Sequence, residues 1–529
     1  MRLIGKATTL SAILLTFSVS ANAESEKVRN LILMIGDGMG PQQLSMLESY
    51  ANLAPNSIYQ GRKTALSELA DNGVVGLSMT YPYGSLVVDS ASSASQLATG
   101  EASLSEAIGL DKNGNSVETI LEKAQRSGKA TGLVSDTRLT HATPAAFAAH
   151  RPHRSLENEI AGDMLGTKVD VMLSGGIRHW LPQSVNEKGQ QYQELLSLTG
   201  GQIKIKSKRK DERNLLQEAK QSGYELAFNR NDMMMADGDR LLGLFAYSGM
   251  MDGIEYTKTK NSEERVQPTL KEMTVKALDI LSQDKDGFFL MVEGGQIDWA
   301  AHNNDAATML HELLKFDEAV SAVYEWASDR KDTLVVVTSD HETGSFGFSY
   351  SAVDLPEAEN IAGGAFNDRT YKPNFNFGSP DILDNLYRQS ASFYGIFDQF
   401  RQLPGKDQTA VSLANIVAKN SPFTITEEQA ARVLKRAANP FKVKGHKYLS
   451  AETLPEVKDF KAFYVYGNEI KMNLLGRELA AQQNVVWGTG THTSTPVTVM
   501  AYGPEEVAVE FRGMQHHTQV GKKLINALR

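Results

Sequence analysis

The chain has 529 residues, 41% of them hydrophobic, a formal net charge of -9 and no cysteine. The absence of cysteine excludes disulfides and thiolate metal sites, and the acidic balance argues against a nucleic-acid binder held by a basic surface. The length permits a large core with one or two subsidiary regions, so the composition favours a globular enzyme whose positive charge is local.

The first 23 residues have the pattern of a secretory signal peptide. Arg2 and Lys6 precede an apolar stretch, and Ala21-Asn22-Ala23 is a small-residue cleavage pattern. Removing residues 1–23 takes away two positive charges and no negative ones, which moves the net charge from -9 to -11. No apolar segment reaches the roughly 18 residues of a membrane span. We therefore expect a soluble, exported protein, periplasmic or secreted, that does not bind membranes.

Short apolar runs alternate with helical patterns along the rest of the chain. A long helix is predicted over residues 305–330, where apolar side chains recur every three or four positions. The runs that predict buried strands are 30–35, 86–88, 131–134, 169–173, 288–292, 333–337 and 497–501. This alternation predicts an α/β fold with a central, largely parallel sheet and helices on both faces. Ligands of such sheets bind beyond the carboxyl ends of the strands.

The composition of the sequence changes between residues 349 and 467. Prolines interrupt this region repeatedly and aromatic residues cluster at 371–377, although a helical stretch remains at 426–437. We interpret 349–467 as an inserted, crown-type subdomain or large loop, which either shields the site or clasps a second subunit. Residues 24–348 and 468–529 then form the α/β catalytic domain. The highly charged stretch 204–213 predicts a solvated surface element.

The first predicted strand leads into a glycine-rich turn around Asp37. Gly36 and Gly38 flank this residue and let the backbone turn sharply, which exposes the carboxylate. An aspartate in such a turn can equally be a helix cap. Asp37 is therefore a candidate whose role depends on what lies beside it.

Ser90 lies where a predicted strand gives way to a helix of small residues. It follows Asp89 and opens the run Ser90-Ala91-Ser92-Ser93-Ala94-Ser95. Free amides and the positive end of the helix dipole attract a phosphate there and favour the serine alkoxide. The alternative is that Asp89 or Ser90 only caps the helix.

Several carboxylates and imidazoles follow other predicted strands. Asp298 and His302 are four residues apart, a spacing that suits two ligands of one metal but also a surface ion pair. The whole set is Asp37, Glu293, Asp298, His302, Asp340, His341 and His492. Mixed carboxylate and imidazole ligands suit zinc, and oxygen-only ligands suit magnesium. The set therefore predicts a metal centre at the carboxyl edge of the sheet.

With these motifs in place, the sequence resembles the alkaline phosphatases, most closely the Vibrio-type enzyme with a large inserted loop. The resemblance runs from about Val28 to the C-terminus. The matching residues are Gly36-Asp37-Gly38-Met39-Gly40, Asp89-Ser90-Ala91-Ser92-Ser93-Ala94, Thr140-His141-Ala142-Thr143-Pro144, Arg154, Glu293-Gly294-Gly295-Gln296-Ile297-Asp298, His302, Asp340-His341-Glu342-Thr343 and His492.

The resemblance implies two zinc ions and one magnesium ion per subunit, and a homodimer. It assigns one zinc to Asp298, His302 and His492, a second zinc to Asp37, Asp340 and His341 with Ser90, and the magnesium to Asp37, Thr143 and Glu293. It also implies that Arg154 grips two phosphate oxygens, for which its planar guanidinium is suited. The implied activity is hydrolysis of small phosphate monoesters through a phosphoserine intermediate, with net retention at phosphorus.

Two positions near the implied site depart from the enteric pattern. The enteric enzyme has Asp and Lys where this chain has His141 and Trp299. Because Trp299 cannot supply a cation, we expect phosphate to be held less tightly here. His141 is either a water-mediated contact of the magnesium or a packing residue.

Two other readings of the sequence remain. A phosphodiesterase, nucleotide pyrophosphatase or sulfatase could share the same sheet and two-metal plan, but Asp89-Ser90 with Thr143 and Glu293 favours monoesters. An exported phosphate-binding protein would bind phosphate through backbone amides and hydroxyls, without so many metal candidates and without turnover.

Overall fold

A computed structural model describes residues 28–528 of the chain. The signal peptide predicted at residues 1–23 lies outside the described residues. Among the helices of the described part, none has the length and apolar character needed to cross a membrane.

The fold consists of sixteen strands and twenty α-helices within residues 28–528. The strands are β1 (Asn30–Gly36), β2 (Val74–Met79), β3 (Ala130–Arg138), β4 (Val171–Gly175), β5 (Glu225–Ala227), β6 (Leu241–Leu244), β7 (Phe288–Gly294), β8 (Thr333–Thr338), β9 (Glu342–Thr343), β10 (Phe346–Phe348), β11 (Arg436–Ala438), β12 (Thr453–Pro455), β13 (Val485–Trp487), β14 (His492–Thr493), β15 (Val497–Tyr502) and β16 (Gly513–His516).

The helices alternate with these strands. They are α1 (Pro41–Leu53), α2 (Ala65–Asn72), α3 (Ser90–Thr99), α4 (Ile120–Arg126), α5 (Ala142–Ala148), α6 (Glu157–Thr167), α7 (Gln190–Leu198), α8 (Leu215–Gln221), α9 (Arg230–Met235), α10 (Gly253–Thr259), α11 (Leu270–Leu281), α12 (Gln296–His302), α13 (Ala306–Ala327), α14 (Asp381–Tyr387), α15 (Phe393–Gln402), α16 (Ala410–Asn420), α17 (Glu427–Leu434), α18 (Ile470–Gln483), α19 (Glu505–Ala508) and α20 (His517–Ala527).

One ten-stranded sheet organises the molecule. Its order is β16-β2-β15-β8-β1-β7-β3-β4-β6-β5. Strand β15 pairs antiparallel with both β8 and β2, and every other pairing in this sheet is parallel. The carboxyl ends of the neighbouring strands β8, β1, β7 and β3 therefore meet at one edge. The predicted α/β fold with a largely parallel sheet is confirmed.

Helices cover both faces of the sheet because its central strands are apolar on both sides. In β1, Ile32 and Met34 pack into one hydrophobic cluster together with Leu313 of α13. Leu31 and Leu33 point the other way, into a second cluster that includes Leu97 of α3 and residues of α20. Strands that are buried on both faces have continuous hydrophobic sequences, as the central strands do here.

The long helix predicted over residues 305–330 is present as α13. Asp305 is its N-cap and accepts a hydrogen bond from the backbone N–H of Thr308. The buried carboxylate also accepts from the backbone N–H of Phe393 and from the side-chain amide of Gln389. One capping residue thus fixes both the start of α13 and the segment that precedes α15.

The prediction of a strand over residues 86–88 is wrong. Leu86 and Val87 are exposed, only Val88 is buried, and the segment is a connection with bends at Leu86 and Val87, outside the strands of the described chain. The carbonyl of Val88 accepts a hydrogen bond from His492 instead of a ladder partner. A run of three apolar residues is too short to distinguish a strand from such a connection.

Three smaller predictions need adjustment. The strand predicted to begin at residue 169 begins at Val171, and the helical stretch predicted over 426–437 ends at Leu434 before β11. Within the charged stretch 204–213 the lysines are exposed as predicted, but the side chain of Arg209 is buried, where it pairs with Asp211.

The region 349–467 behaves in two ways. Residues 349–380 include no buried residue. The helices that follow bury apolar side chains such as Leu386 of α14, Phe397 of α15 and Leu413 of α16 in the same cluster as α13. The first part is thus exposed, whereas the helical part is continuous with the core. The division into a catalytic domain and an inserted subdomain stays a prediction.

Candidate active site

The candidate residues converge because they follow adjacent strands. Asp37 comes directly after β1, Glu293 lies near the end of β7, and Asp340 and His341 follow β8. Thr143 lies in the first turn of α5, just beyond β3. These strand ends are neighbours in the sheet, so their side chains share one buried space.

Asp298, His302 and His492 form the first cluster. The Nε2 atoms of the two histidines are 3.1 Å apart, and Asp298 Oδ1 lies 3.3 Å from one and 3.6 Å from the other. Each ring donates its Nδ1–H to a backbone carbonyl, that of Gly490 for His302 and that of Val88 for His492. In neutral rings both Nε2 atoms therefore carry lone pairs. Two lone pairs and a carboxylate oxygen that face each other suit a shared cation.

Asp37, Asp340 and His341 form the second cluster, with Ser90 beside it. His341 Nε2 lies 3.1 Å from Asp340 Oδ2, 3.5 Å from Asp37 Oδ1 and 3.2 Å from Ser90 Oγ. One nitrogen cannot hydrogen-bond to all three oxygens at once. The convergence of carboxylate, imidazole and hydroxyl atoms on one point again matches the surroundings of a metal ion.

Asp37 also belongs to a third cluster, with Glu293 and His141. Ligand atoms of these three residues lie within 4.8 Å of one another. Thr143 Oγ1 and Glu293 Oε1 are buried and have no hydrogen-bond partner among the described residues. The other oxygen of Glu293 accepts hydrogen bonds from Ser135 and Thr137. One oxygen of Glu293 is thus held by β3, while the other is left for a ligand.

The unpaired atoms and the crowded negative charge both indicate bound cations. Burial, followed by Asp340, Asp298 and Glu293, raises the pKa of Asp37 well above its usual range. Burial likewise raises the pKa of Glu293 to about 7. Both oxygens of Asp37 lack a hydrogen-bond partner in the described chain. Carboxylates buried without partners are costly unless metal ions compensate their charge, so the residues present fit metal ions.

Ser90 is the first residue of α3, and its hydroxyl is not used for capping. Asp89 is the N-cap, and its carboxylate accepts hydrogen bonds from the backbone N–H groups of Ala91 and Ser92. All ten residues of α3 are buried, so their small side chains let the helix lie close against the sheet. The cap of α3 is therefore Asp89 and not Ser90. The Ser90 hydroxyl is left facing His341.

Arg154 lies at the opening of this space and is held on two sides. Its Nη1 donates to Asp89 Oδ2 at 3.0 Å, and its Nη2 donates to His141 Nε2 at 3.2 Å. The ring of Trp299 packs edge-on against His141, with ring centroids 5.8 Å apart. The guanidinium thus lies between Asp89, which precedes Ser90, and His141 of the third cluster, and Trp299 packs against that histidine.

Three residues near the clusters were not predicted from the sequence. Ser135 and Thr137 alternate at the end of β3, a period-two signal that could have placed both at the sheet edge. Tyr466 packs edge-on against His302, with ring centroids 5.2 Å apart. Tyr466 belongs to the region interpreted as an insertion, and nothing in the local sequence marks it as a site residue.

Comparison with known proteins decides the family. The family model described as alkaline phosphatase matches residues 28–529, almost the whole chain. The chain belongs to the alkaline phosphatase family. Among curated relatives, alkaline phosphatase 4 of Bacillus subtilis is 33% identical over 440 residues, 80% of this chain and 86% of that protein. Alkaline phosphatase 3 of Bacillus subtilis is 31% identical over 514 residues, 95% of this chain and 90% of that protein.

Solved alkaline phosphatase structures have the same fold. That of the Thermus thermophilus alkaline phosphatase matches with a TM-score of 0.73 at 25% identity, over 98% of this chain and 96% of that one. The cold-active alkaline phosphatase of a psychrophilic Shewanella matches with a TM-score of 0.66 at 26% identity, over 94% of this chain and all of that one.

Membership of the alkaline phosphatase family establishes the general activity. The chain is a phosphoric monoester hydrolase, and its family is metal dependent. The closer likeness to the Vibrio-type enzyme stays a prediction.

Proposed function

We propose that this alkaline phosphatase hydrolyses phosphate monoesters through a phosphoserine formed on Ser90. The convergence of the second cluster on the Ser90 hydroxyl supports this proposal. Ser90 Oγ lies 3.2 Å from His341 Nε2, at the first residue of a buried ten-residue helix. The positive end of the helix dipole favours negative charge on the nucleophile and on phosphate, although the N–H groups of Ala91 and Ser92 donate to Asp89.

The three clusters define the metal sites in this proposal. Zinc suits the first and second clusters, in which imidazole and carboxylate atoms converge, and magnesium suits the oxygen atoms of Asp37, Thr143 and Glu293 at the third cluster. The zinc ligands are Asp298, His302 and His492 in one site, and Asp37, Asp340 and His341 in the other. When bound, the ions lower the pKa of a hydroxyl or water beside them and stabilise negative charge on oxygen.

The chain's own residues then carry two displacements. Arg154 donates two hydrogen bonds to phosphate oxygens and orients the phosphorus toward Ser90. The Ser90 oxygen attacks in line, the P–O bond to the leaving alcohol breaks, and phosphoserine forms. Water then attacks the phosphorus of phosphoserine from the side opposite the Ser90 oxygen, and the P–O bond to Ser90 breaks. Inorganic phosphate leaves and the Ser90 oxygen regains its proton. Two inversions give net retention.

His141 is better placed to contact the magnesium ion through water than to bind it directly. Because Arg154 donates to His141 Nε2, the proton of the neutral ring lies on Nδ1. Burial, followed by Arg138 and Arg154, lowers the pKa of His141 well below its usual range, so the ring is neutral. A protonated Nδ1 cannot ligate a metal, but it can donate to water or a carboxylate. We therefore place His141 in a water-mediated contact with the magnesium.

Metal removal tests the proposed function directly. After exhaustive dialysis against a chelator, turnover of a simple aryl phosphate is expected to fall at least about 100-fold, because charge stabilisation by metals is worth several kcal/mol. Zinc alone should restore part of the activity, and zinc with magnesium should restore all of it. Elemental analysis of each sample gives the stoichiometry. Full turnover in a sample shown to be free of metal would exclude the mechanism, and phosphate binding without turnover would favour a phosphate-binding protein.

Replacement of Trp299 tests how tightly phosphate is held. A lysine there would supply a charged donor beside Arg154, so the inhibition constant for inorganic phosphate is expected to fall about tenfold in Trp299→Lys. If product release limits turnover, kcat should fall as well. Trp299→Phe is the matched control, since it keeps the ring against His141 without a charge. If the inhibition constant for phosphate is the same in Trp299→Lys and the wild type, the prediction is wrong.

The exposed segment 349–380 supports a homodimer. None of its residues is buried, and the rings of Phe375 and Phe377 both lie against Tyr350, which is itself 60% exposed. Such aromatic surface is typical of an interface. Light scattering of the wild type should therefore give twice the mass of one chain, and replacing residues 350–377 by a short glycine-serine linker should give a monomer. A monomeric wild type would remove this proposal.

Export by residues 1–23 is likewise a proposal. It is supported by the charge pattern and the Ala21-Asn22-Ala23 cleavage pattern in the sequence.

A further inference from the structure

The backbone carbonyl of Asp340 is an anchor that lies outside all three metal clusters. It accepts a hydrogen bond from Ser93 Oγ at 2.7 Å and a second from His517 Nε2 at 3.0 Å. Both donors are fully buried. The carboxylate of the same residue lies in the second cluster, so Asp340 is held from two directions at once.

His517 is fixed in one tautomer by its two partners. Because the Asp340 carbonyl can only accept, His517 Nε2 carries the proton. His517 Nδ1 lies 2.7 Å from Ser78 Oγ and accepts a hydrogen bond from that hydroxyl. His517 does not cap α20. The side chain of His516 is the cap, because it accepts a hydrogen bond from the backbone N–H of Thr518. Both nitrogens of His517 are therefore committed to holding Asp340 and Ser78.

The two donors come from helices that lie very close together. Gly521 of α20 faces α3 at a distance that leaves no room for a side chain, since a Cβ there would lie 2.5 Å from the carbonyl oxygen of Gln96. Helix α3 carries Ser90 at its start and Ser93 in the same turn. The nucleophile candidate and the anchor at Asp340 thus belong to one tightly packed unit.

We propose that His517 is a positioning residue for the second metal cluster. Together with Ser93 it holds the Asp340 backbone, so that the Asp340 carboxylate, the His341 imidazole and the Ser90 hydroxyl keep their separation. Outer partners of metal-binding residues orient the ligands, and their loss typically costs ten- to a hundredfold in metal affinity or activity. This inference rests on the proposed function, because it takes the second cluster as a metal site and Ser90 as the nucleophile.

Two substitutions at His517 and one at its neighbour test the proposal. His517→Phe removes both hydrogen bonds and fills the space, and His517→Gln keeps a donor of similar reach. His516→Ala is the matched control, because it removes the cap of the same helix but no contact with Asp340. Zinc affinity is measured by competition with a graded series of chelators and elemental analysis, and kcat, KM and Tm are measured on the same samples.

His517→Phe is expected to lower zinc affinity and kcat about tenfold or more, and His517→Gln to recover most of the loss. His516→Ala is expected to lower Tm and leave zinc affinity and kcat unchanged, because this side chain caps α20 and donates to the Tyr81 carbonyl but contacts neither Asp340 nor Ser93. Equal zinc affinity and kcat in wild type and His517→Phe would overturn the proposal. Equal losses in His516→Ala and His517→Phe would also overturn it, since helix stability would then account for both.

If His517→Phe does not fold, Ser78→Ala provides the test. It removes only the Nδ1 partner, so a smaller loss of zinc affinity supports the proposal and an unchanged affinity contradicts it. A wild type without bound zinc would reject the proposed metal sites themselves. Zinc-loaded wild type with an unaffected His517→Phe would reject the positioning role alone.

Discussion

Ser90→Ala is expected to lower kcat for phosphate monoesters by about four to six orders of magnitude, the range found when a covalent nucleophile is removed from a preorganised site. The variant loses the oxygen that would form phosphoserine, while the metal clusters and Arg154 remain. Rapid acid quench followed by intact mass spectrometry should show a phosphoryl group on the wild type and none on the variant.

Ser92→Ala is the matched control for the nucleophile. Ser92 lies in the same helix turn, but its hydroxyl donates to the backbone carbonyl of Ser103 and does not face a metal cluster. Its kcat is expected to stay within a few-fold of the wild type. Undiminished turnover in Ser90→Ala would remove Ser90 from the mechanism, whichever family the chain belongs to.

Asp37→Asn is expected to lower kcat about 10³-fold, because one carboxylate serves two clusters and its charge stabilisation is worth several kcal/mol. Asp37 is grouped with Asp340 and His341 in one cluster and with His141 and Glu293 in another. The variant should therefore retain less of both metals in elemental analysis. Glu293→Gln, which touches one cluster, should lose magnesium and keep zinc.

Asp305→Asn controls for the loss of a buried carboxylate as such. Asp305 is buried and caps α13, but it belongs to none of the metal clusters. Asparagine is also a good N-cap, so the variant should keep its metal content and turnover at some cost in Tm. Wild-type metal content in Asp37→Asn would mean that its carboxylate is not a shared ligand.

The sheet was predictable because its central strands are buried on both faces. Residues 30–35, 288–292 and 333–337 are continuous apolar runs, and the polar residues that follow them converge as expected. Strand β2 was missed because it is buried on one face only, with alternate residues exposed, and Gly76 interrupts its apolar pattern. Continuous apolar runs thus predict the central strands that carry the site, but not the strands near the edge of the sheet.

The position of His492 depends on a strand pairing that the local sequence does not reveal. Strand β14 pairs with β9, which places His492 opposite Thr343, far away in sequence. No periodicity near His492 signals that pairing, and only the resemblance to a family assigned the residue to the first cluster. Tyr466 and His517 are similar cases, because their contacts with the site depend on long-range packing.

The two backbone carbonyls behind the first cluster have a further consequence. The carbonyls of Gly490 and Val88 accept hydrogen bonds from the Nδ1–H groups of His302 and His492, so the one lone pair of each neutral ring lies on Nε2. Burial, followed by His341, lowers the pKa of His492 to about 3, so this ring offers its lone pair without first releasing a proton. Protons and metal ions compete for this lone pair. Acid should therefore empty this site by direct exchange of metal for protons, with the rings already in the orientation that reloading requires.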